Sequence, residues 1–197
     1  MKFLDIMGII GFFLICPFIV LVIIIVLIFD GYPAIYSHKR IGKNNRIFQC
    51  YKIRTMKNNI DNIIKSDSKL FKEYVNNDYK IPKSFNPYTK TGLFLRKTNI
   101  DELPQLFNVL KGDMSIVGPR PIVDPEINHY TDDEKKILLS VKPGITGYWQ
   151  VNGRNNVRYP KRKELELFYA KNQNFLLDIT ILIKTIIQIF KKDNSIT

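Results

Sequence analysis

From Ile6 to Phe29 the chain carries no charged residue. These 24 residues would make a helix of about 36 Å, against a bilayer hydrocarbon core of about 30 Å. The run is too long for the apolar part of a signal peptide and lacks a small-x-small cleavage site. Pro17, directly after Cys16, predicts a kink near the middle. Residues 1–30 are therefore read as a membrane-associated helix and 31–197 as one domain. Within that domain the apolar patterns are short. Ile47 to Tyr51 reads as a strand. Ile60, Ile63, Ile64, Phe71, Tyr74 and Val75 fall on one helical stripe, predicting a helix over 60–75. Residues 76–91 are polar, contain Pro82 and Pro87, and read as loop. Leu103, Leu106, Phe107 and Leu110 recur at helical spacing, and Gly112 is a natural stop. Tyr148 to Val157 suggests a hairpin around Asn152-Gly153. Phe175 to Phe190 is apolar but interrupted by Asp178, Lys184 and Gln188, which predicts an amphipathic helix on the domain or in the bilayer interface. There are no internal repeats. The expected fold class is α+β: a small, mainly helical domain with short strands, anchored by the N-terminal helix and by amphipathic interfacial helices.

Charge changes the picture next. The 197 residues carry a formal net charge of +12. Seven Lys or Arg and no acid lie between Gly31 and Ile60, directly after the apolar run. Such a collar suits anionic lipid headgroups and phosphorylated substrates. The charge gathers beside the membrane run and no nucleic-acid-binding motif accompanies it, so nucleic acid is not expected as a partner. The positive flank also favours a cytoplasmic location for the domain. Cys16 and Cys50 suggest no disulfide framework, and His38 and His129 share no ligand spacing that would predict zinc. Tyr148, Trp149, Phe168, Tyr169 and Phe175 are read first as core aromatics, with headgroup anchoring as the second reading.

The chemistry concentrates at Asp101-Glu102. Pro104 belongs in a first helical turn, because proline gives a helix no N–H. That puts the helix start near Asp101 or Glu102, with Asp101 as N-cap. Free N–H groups there keep a carboxylate ionised and draw phosphate close. Adjacent helical residues diverge, so the two carboxylates should divide their roles. Alone, such a pair is an ordinary helix cap.

Context favours more. The run Asp-Glu-Leu-Pro-Gln-Leu-Phe-Asn-Val-Leu-Lys-Gly-Asp-Met-Ser from Asp101 is followed by Gly118-Pro119-Arg120-Pro121. Tyr51-Lys52-Ile53-Arg54-Thr55-Met56 lies upstream, and Lys142-Pro143-Gly144-Ile145-Thr146-Gly147 and Gln150-Val151-Asn152-Gly153-Arg154-Asn155 lie downstream. In this order, over nearly the whole chain, these segments resemble the bacterial sugar transferases, the monotopic phosphoglycosyl transferases. The resemblance implies transfer of a sugar phosphate from a UDP-sugar to a polyprenol phosphate such as undecaprenyl phosphate, with release of UMP. It implies Asp101 as nucleophile and metal ligand, Glu102 as its catalytic and metal-binding neighbour, and Mg2+ as cofactor. It also implies Lys52, Arg96, Arg120 and Arg154 as substrate-binding cations. The insertion at 60–75, the Gly-Pro-Arg-Pro-Ile-Val run and Tyr148-Trp149-Gln150 look closest to hexose-phosphate transferases of O-antigen, capsule and exopolysaccharide synthesis, catalytic part only. Those commonly use UDP-galactose.

The implied location is the bacterial cytoplasmic membrane with the domain facing the cytoplasm, and a second copy of the chain is admitted as a partner. Two topologies stay open for the first helix. It spans, with its N-terminus outside, or it is re-entrant at Cys16-Pro17, where relatives usually carry Ser-Pro. Relatives also often have glycine at Asn44-Asn45, and an arginine that is missing around Asn86-Pro87-Tyr88-Thr89. Two competing readings remain: an inactive membrane-anchored scaffold, and a membrane-tethered polyanion binder.

Overall fold

The computed structural model describes residues 2–76, 84–153 and 157–190. Helix α1, Phe3–Asp30, takes in the whole apolar run. Its helical assignment continues through Cys16 and Pro17, where the sequence pattern suggested a break. The helix leads into the antiparallel pair β1, Ile35–Ile41, and β2, Ile47–Ile53, in the register Ile35 to Ile53 and Ile41 to Ile47. The connecting turn puts Asn44 and Asn45 at positive φ, 54° and 62°, which asparagine tolerates better than most residues. Next come α2, Ile60–Ser66, and α3, Ser68–Asn76. A single helix was expected over 60–75. Asp67 divides it, because its carboxylate accepts the Lys69 and Leu70 N–H groups at 2.9 and 3.0 Å and starts a new helix.

Helix α4, Gly92–Thr98, ends at Asn99 in the left-handed region. A 3-10 turn, Ile100–Glu102, precedes α5, Gln105–Leu110. The expected helix start at Asp101 is thus corrected: Pro104 is the N-cap of α5, and Asp101 lies inside the tighter turn. Pro104 has no N–H to give Ile100, so α-type bonding cannot begin there. Three-residue bonds such as Glu102 N–H to Asn99 O and Leu103 N–H to Ile100 O carry the chain instead.

Strand β3, Ser115–Val117, pairs in parallel with β4, Gly144–Thr146, on either side of α6, Asp132–Leu138. Helix α7, Tyr148–Val151, follows where a hairpin was expected. The Asn152 side chain bonds back to Tyr148 O at 2.7 Å, and Gly153 takes φ 124°, so Asn-Gly closes a helical turn here. Helices α8, Lys161–Asn172, and α9, Phe175–Phe190, complete the description. The latter has the bounds read from the sequence. The fold is mostly helical with short strands, and its N-terminal helix is long and apolar enough to cross a membrane.

Both ends of α1 are tied to the domain. Near its start the buried Asp5 accepts Ser115 Oγ at 2.7 Å and the Ile116 N–H at 2.9 Å. Lys2 Nζ reaches Asp178 at 3.0 Å and Tyr169 Oη at 2.7 Å. At its end the Arg54 guanidinium donates to the Asp30 and Gly31 carbonyls at 2.6 and 2.7 Å. The Asp30 carboxylate accepts the Lys90 N–H at 2.8 Å and also the Thr91 hydroxyl. Between these ties, Val22 and Val26 pack with Ala34, Ile53 and Leu95. Phe13, Leu14, Phe18, Leu21 and Ile28 stay exposed.

Candidate active site

Strand β2, the 3-10 turn, the Gly118–Pro121 turn and α7 meet around a cleft of about 620 Å3. Asp101 and Glu102 line it, with Lys52, Arg96, Arg120 and Gln150. The two carboxylates do divide. Asp101 is only 6% exposed, while Glu102 is half-buried and accepts from Lys52 Nζ at 2.6 Å. Asp101 Oδ1 is buried and has no hydrogen-bond partner. Burial, then the adjacent Glu102, raises the Asp101 carboxyl to about 6, against the opposing pull of Lys52 and Arg96.

The cations arrive from separate elements. Lys52 lies on β2 and Arg96 in α4, with the Arg96 guanidinium 5.6 Å from the Tyr88 ring. Arg120 sits in a turn fixed by backbone bonds on both sides: Gly118 N–H to Thr146 O at 2.9 Å and Gly144 N–H to Pro119 O at 2.8 Å. From β1, Arg40 Nη1 donates to Pro121 O at 2.9 Å. Arg154, the fourth cation expected from the sequence, lies outside the described residues. Three of the four are thus brought to one cleft with both carboxylates.

Further residues contribute that the sequence did not single out. His38 accepts from Arg40 Nε and stacks on Tyr36 at 5.4 Å. Burial, then Arg40, Lys52 and Arg120, lowers it to about 4, so it stays neutral and adds no charge to the cation cluster. Gln150 faces the cleft with a buried Oε1 that has no partner. Arg162 is buried beside Trp149, which lines the cleft. A lone histidine in an alternating stretch, or an arginine in a charged helix, looks in sequence like any solvated polar side chain. Among the aromatics, Trp149 and Tyr169 are buried as expected, while Phe168 and Phe175 are exposed.

Among the described residues no three His, Cys, Asp or Glu side chains gather. Two adjacent carboxylates, one with an unpartnered oxygen, fit a magnesium ion, which takes one or two carboxylates and completes its shell with water and substrate phosphate.

A family model described as bacterial sugar transferase matches residues 1–192. The undecaprenyl-phosphate galactose phosphotransferase of Salmonella typhimurium strain LT2 is 46% identical over 169 residues, covering 84% of this chain and 35% of the relative. The UDP-galactose-lipid carrier transferase of Erwinia amylovora is 41% identical over 180 residues, 87% of this chain and 37% of the relative. The exopolysaccharide production protein ExoY of Sinorhizobium fredii strain NGR234 is 39% identical over 179 residues, 86% of this chain and 76% of the relative. The chain thus spans little more than a third of the first two relatives and about three quarters of the third.

Proposed function

The chain belongs to the bacterial sugar transferase family, and from that premise we propose that it moves a sugar phosphate from a UDP-sugar to undecaprenyl phosphate as a first step of surface glycan synthesis. The observation that carries this reading is the buried, unpartnered Asp101 oxygen in a cleft that also presents Lys52, Arg96 and Arg120. In the proposed first step an Asp101 oxygen attacks the sugar-bearing phosphorus. The phosphorus–oxygen bond to the bridging oxygen breaks, and UMP leaves with that oxygen and its electron pair. The phosphosugar stays on Asp101. An oxygen of the polyprenol phosphate then attacks the same phosphorus, the bond to Asp101 breaks, and the carboxylate is restored. Both partners are anions, so attack requires neutralised charge, which the three cations supply. Asp101 and Glu102 would hold a magnesium ion, whose charge would lower the repulsion between carboxylate and diphosphate.

The relatives' names support this substrate pair, and two of them name galactose. UDP-galactose is the first donor to test. A UMP-release assay with a panel of UDP-sugars, magnesium and undecaprenyl phosphate should give release with one sugar. Asp101→Asn should abolish it while the protein still folds. Turnover retained in Asp101→Asn would remove the nucleophile assignment. Silence from folded wild type across the panel would favour the scaffold reading.

The re-entrant topology belongs to the same proposal. The ties from Lys2, Asp5 and Asp30 hold both ends of α1 against one domain, which supports placing both on one face of the membrane. The collar after α1 supports the cytoplasmic face.

A further inference from the structure

Two cations of the cleft, Arg96 and Arg120, are held by aromatic rings and not by ion pairs among the described residues, and Arg120 is the one on the Gly118–Pro121 turn. Among the described residues it forms no hydrogen bond or ion pair, whereas Lys52 is bound to Glu102. An arginine on a free stem samples many rotamers, and aiming it costs side-chain entropy. Its guanidinium instead lies over the Trp149 ring, 5.7 Å from the centroid. Trp149 is 6% exposed and cannot swing. Its Nε1–H donates to Val157 O at 3.4 Å. A second guanidinium, that of Arg162, stacks on the same indole at 4.5 Å and on Tyr159 at 5.0 Å.

Arg162 is itself locked. Its Nε donates to the buried Glu166 at 3.0 Å and its Nη1 to Glu126 at 3.0 Å. Tyr130 Oη holds the other Glu166 oxygen at 2.9 Å. Glu126 also lies 3.8 Å from Arg40, the residue that grips Pro121 O beside Arg120. The carboxylates in this cluster are thus taken up by Arg162 and Arg40. Arg120 receives a rigid aromatic plane and no direct ion pair, with Glu126 acting on it only at longer range.

We propose that Trp149, clamped by Arg162, is the positioning residue that aims the Arg120 guanidinium into the cleft while leaving its charge free for substrate phosphate. This rests on the transferase reading above for the identity of that phosphate; the contact itself does not. A cation over an aromatic face is directed without being neutralised, which a carboxylate partner could not achieve.

The test is a double-mutant cycle on kcat/KM for UMP release from UDP-galactose, with the full chain in lipid. Trp149→Leu should lower it roughly 10- to 100-fold, the scale of a misplaced binding group. Trp149→Phe, which keeps an aromatic face and is the variant expected to fold, should recover to within several-fold of wild type. In an Arg120→Ala background, Trp149→Leu should add less than about threefold, because coupled residues are not additive. Losses that multiply independently, or a Trp149→Phe as impaired as Trp149→Leu, would overturn the proposal. Trp149 is the chain's single tryptophan, so its fluorescence reads this contact without turnover. Substrate-free Arg120→Ala should shift the emission maximum from that of wild type, and an unchanged spectrum would also overturn it. If wild type releases no UMP from any UDP-sugar, the transferase reading fails, and the emission comparison still decides the contact.

Discussion

At the scale of single residues, the buried Asp101 carboxyl carries an electrostatic cost. Its carboxyl is raised to about 6, first by burial and then by Glu102. A carboxylate must be ionised to attack, so kcat/KM for the UDP-sugar should rise with pH along a limb set by Asp101, at about 6 without metal and lower once magnesium is bound. Glu102→Gln removes the like charge and should move that limb to lower pH, whatever it does to the plateau. The same shift has a stability consequence. Because the folded-state value exceeds the ordinary 3.8, the folded protein binds this proton more tightly than the unfolded chain. Stability from this group is therefore full below about pH 4 and is lost as pH rises towards about 6. Above that range Asp101→Asn should be more stable than wild type, on the order of 1–3 kcal/mol. Denaturant unfolding of the pair at pH 5 and pH 8 measures it, and an Asn variant less stable at pH 8 would contradict the cost assigned to the buried charge. Asp-Glu beside Pro104 reads alone as a helix cap, and it was the resemblance of the surrounding motifs that pointed to both carboxylates. Which one would be buried was not legible, because the 3-10 turn packs against β2, which is distant in sequence.

At the scale of elements, the site depends on backbones that approach closer than a side chain allows. A Cβ on Gly147 would overlap Gly118 O, and one on Gly144 would overlap Gly118 N. Gly147→Ala should therefore displace the Arg120 turn, with a loss of several kcal/mol by overpacking or an insoluble product. A thermal melt within a few degrees of wild type would show that the turn can yield. The Asp5 clasp on β3 makes a second case. Asp5→Ala strands the Ser115 hydroxyl and the Ile116 N–H in a buried setting, at about 1–3 kcal/mol for each unsatisfied group. The lowered melting temperature should come with weaker UDP binding, since β3 leads directly into the Arg120 turn. The elements that the sequence located, α9 and β2, have long or dense apolar patterns. Those it missed or misdrew are short and set by side chains: Asp67 splits α2 from α3, Pro104 delays α5, and Asn152 turns an expected hairpin into the end of α7. Strands β3 and β4 are three residues each, too short for a period to register.

At the scale of the whole molecule, α1 is a brace that is also long and apolar enough to cross a membrane. As a straight helix its 28 residues would be about 42 Å long. Its start grips β3 through Asp5 and its end grips the head of α4 through Asp30 and Thr91. Those elements lead to Arg120 on one side of the cleft and to Arg96 and Asp101 on the other. Crossing the bilayer would put some 30 Å of hydrocarbon between the two grips and strip Asp5 of its partners at a cost that no lipid contact repays. Keeping both ends on one face preserves every tie and leaves the exposed Phe13, Leu14 and Phe18 to enter the membrane. A cysteine at position 3, where Phe3 is 63% exposed, tests this once Cys16 and Cys50 are replaced. An impermeant thiol reagent should leave intact cells unlabelled and react after permeabilisation. Labelling of intact cells would put the N-terminal end outside and break the brace. With the brace broken, the Asp5 and Lys2 contacts could not form in the membrane, and Asp5→Ala would lose its predicted effect on UDP binding. The labelling and binding experiments therefore stand or fall together.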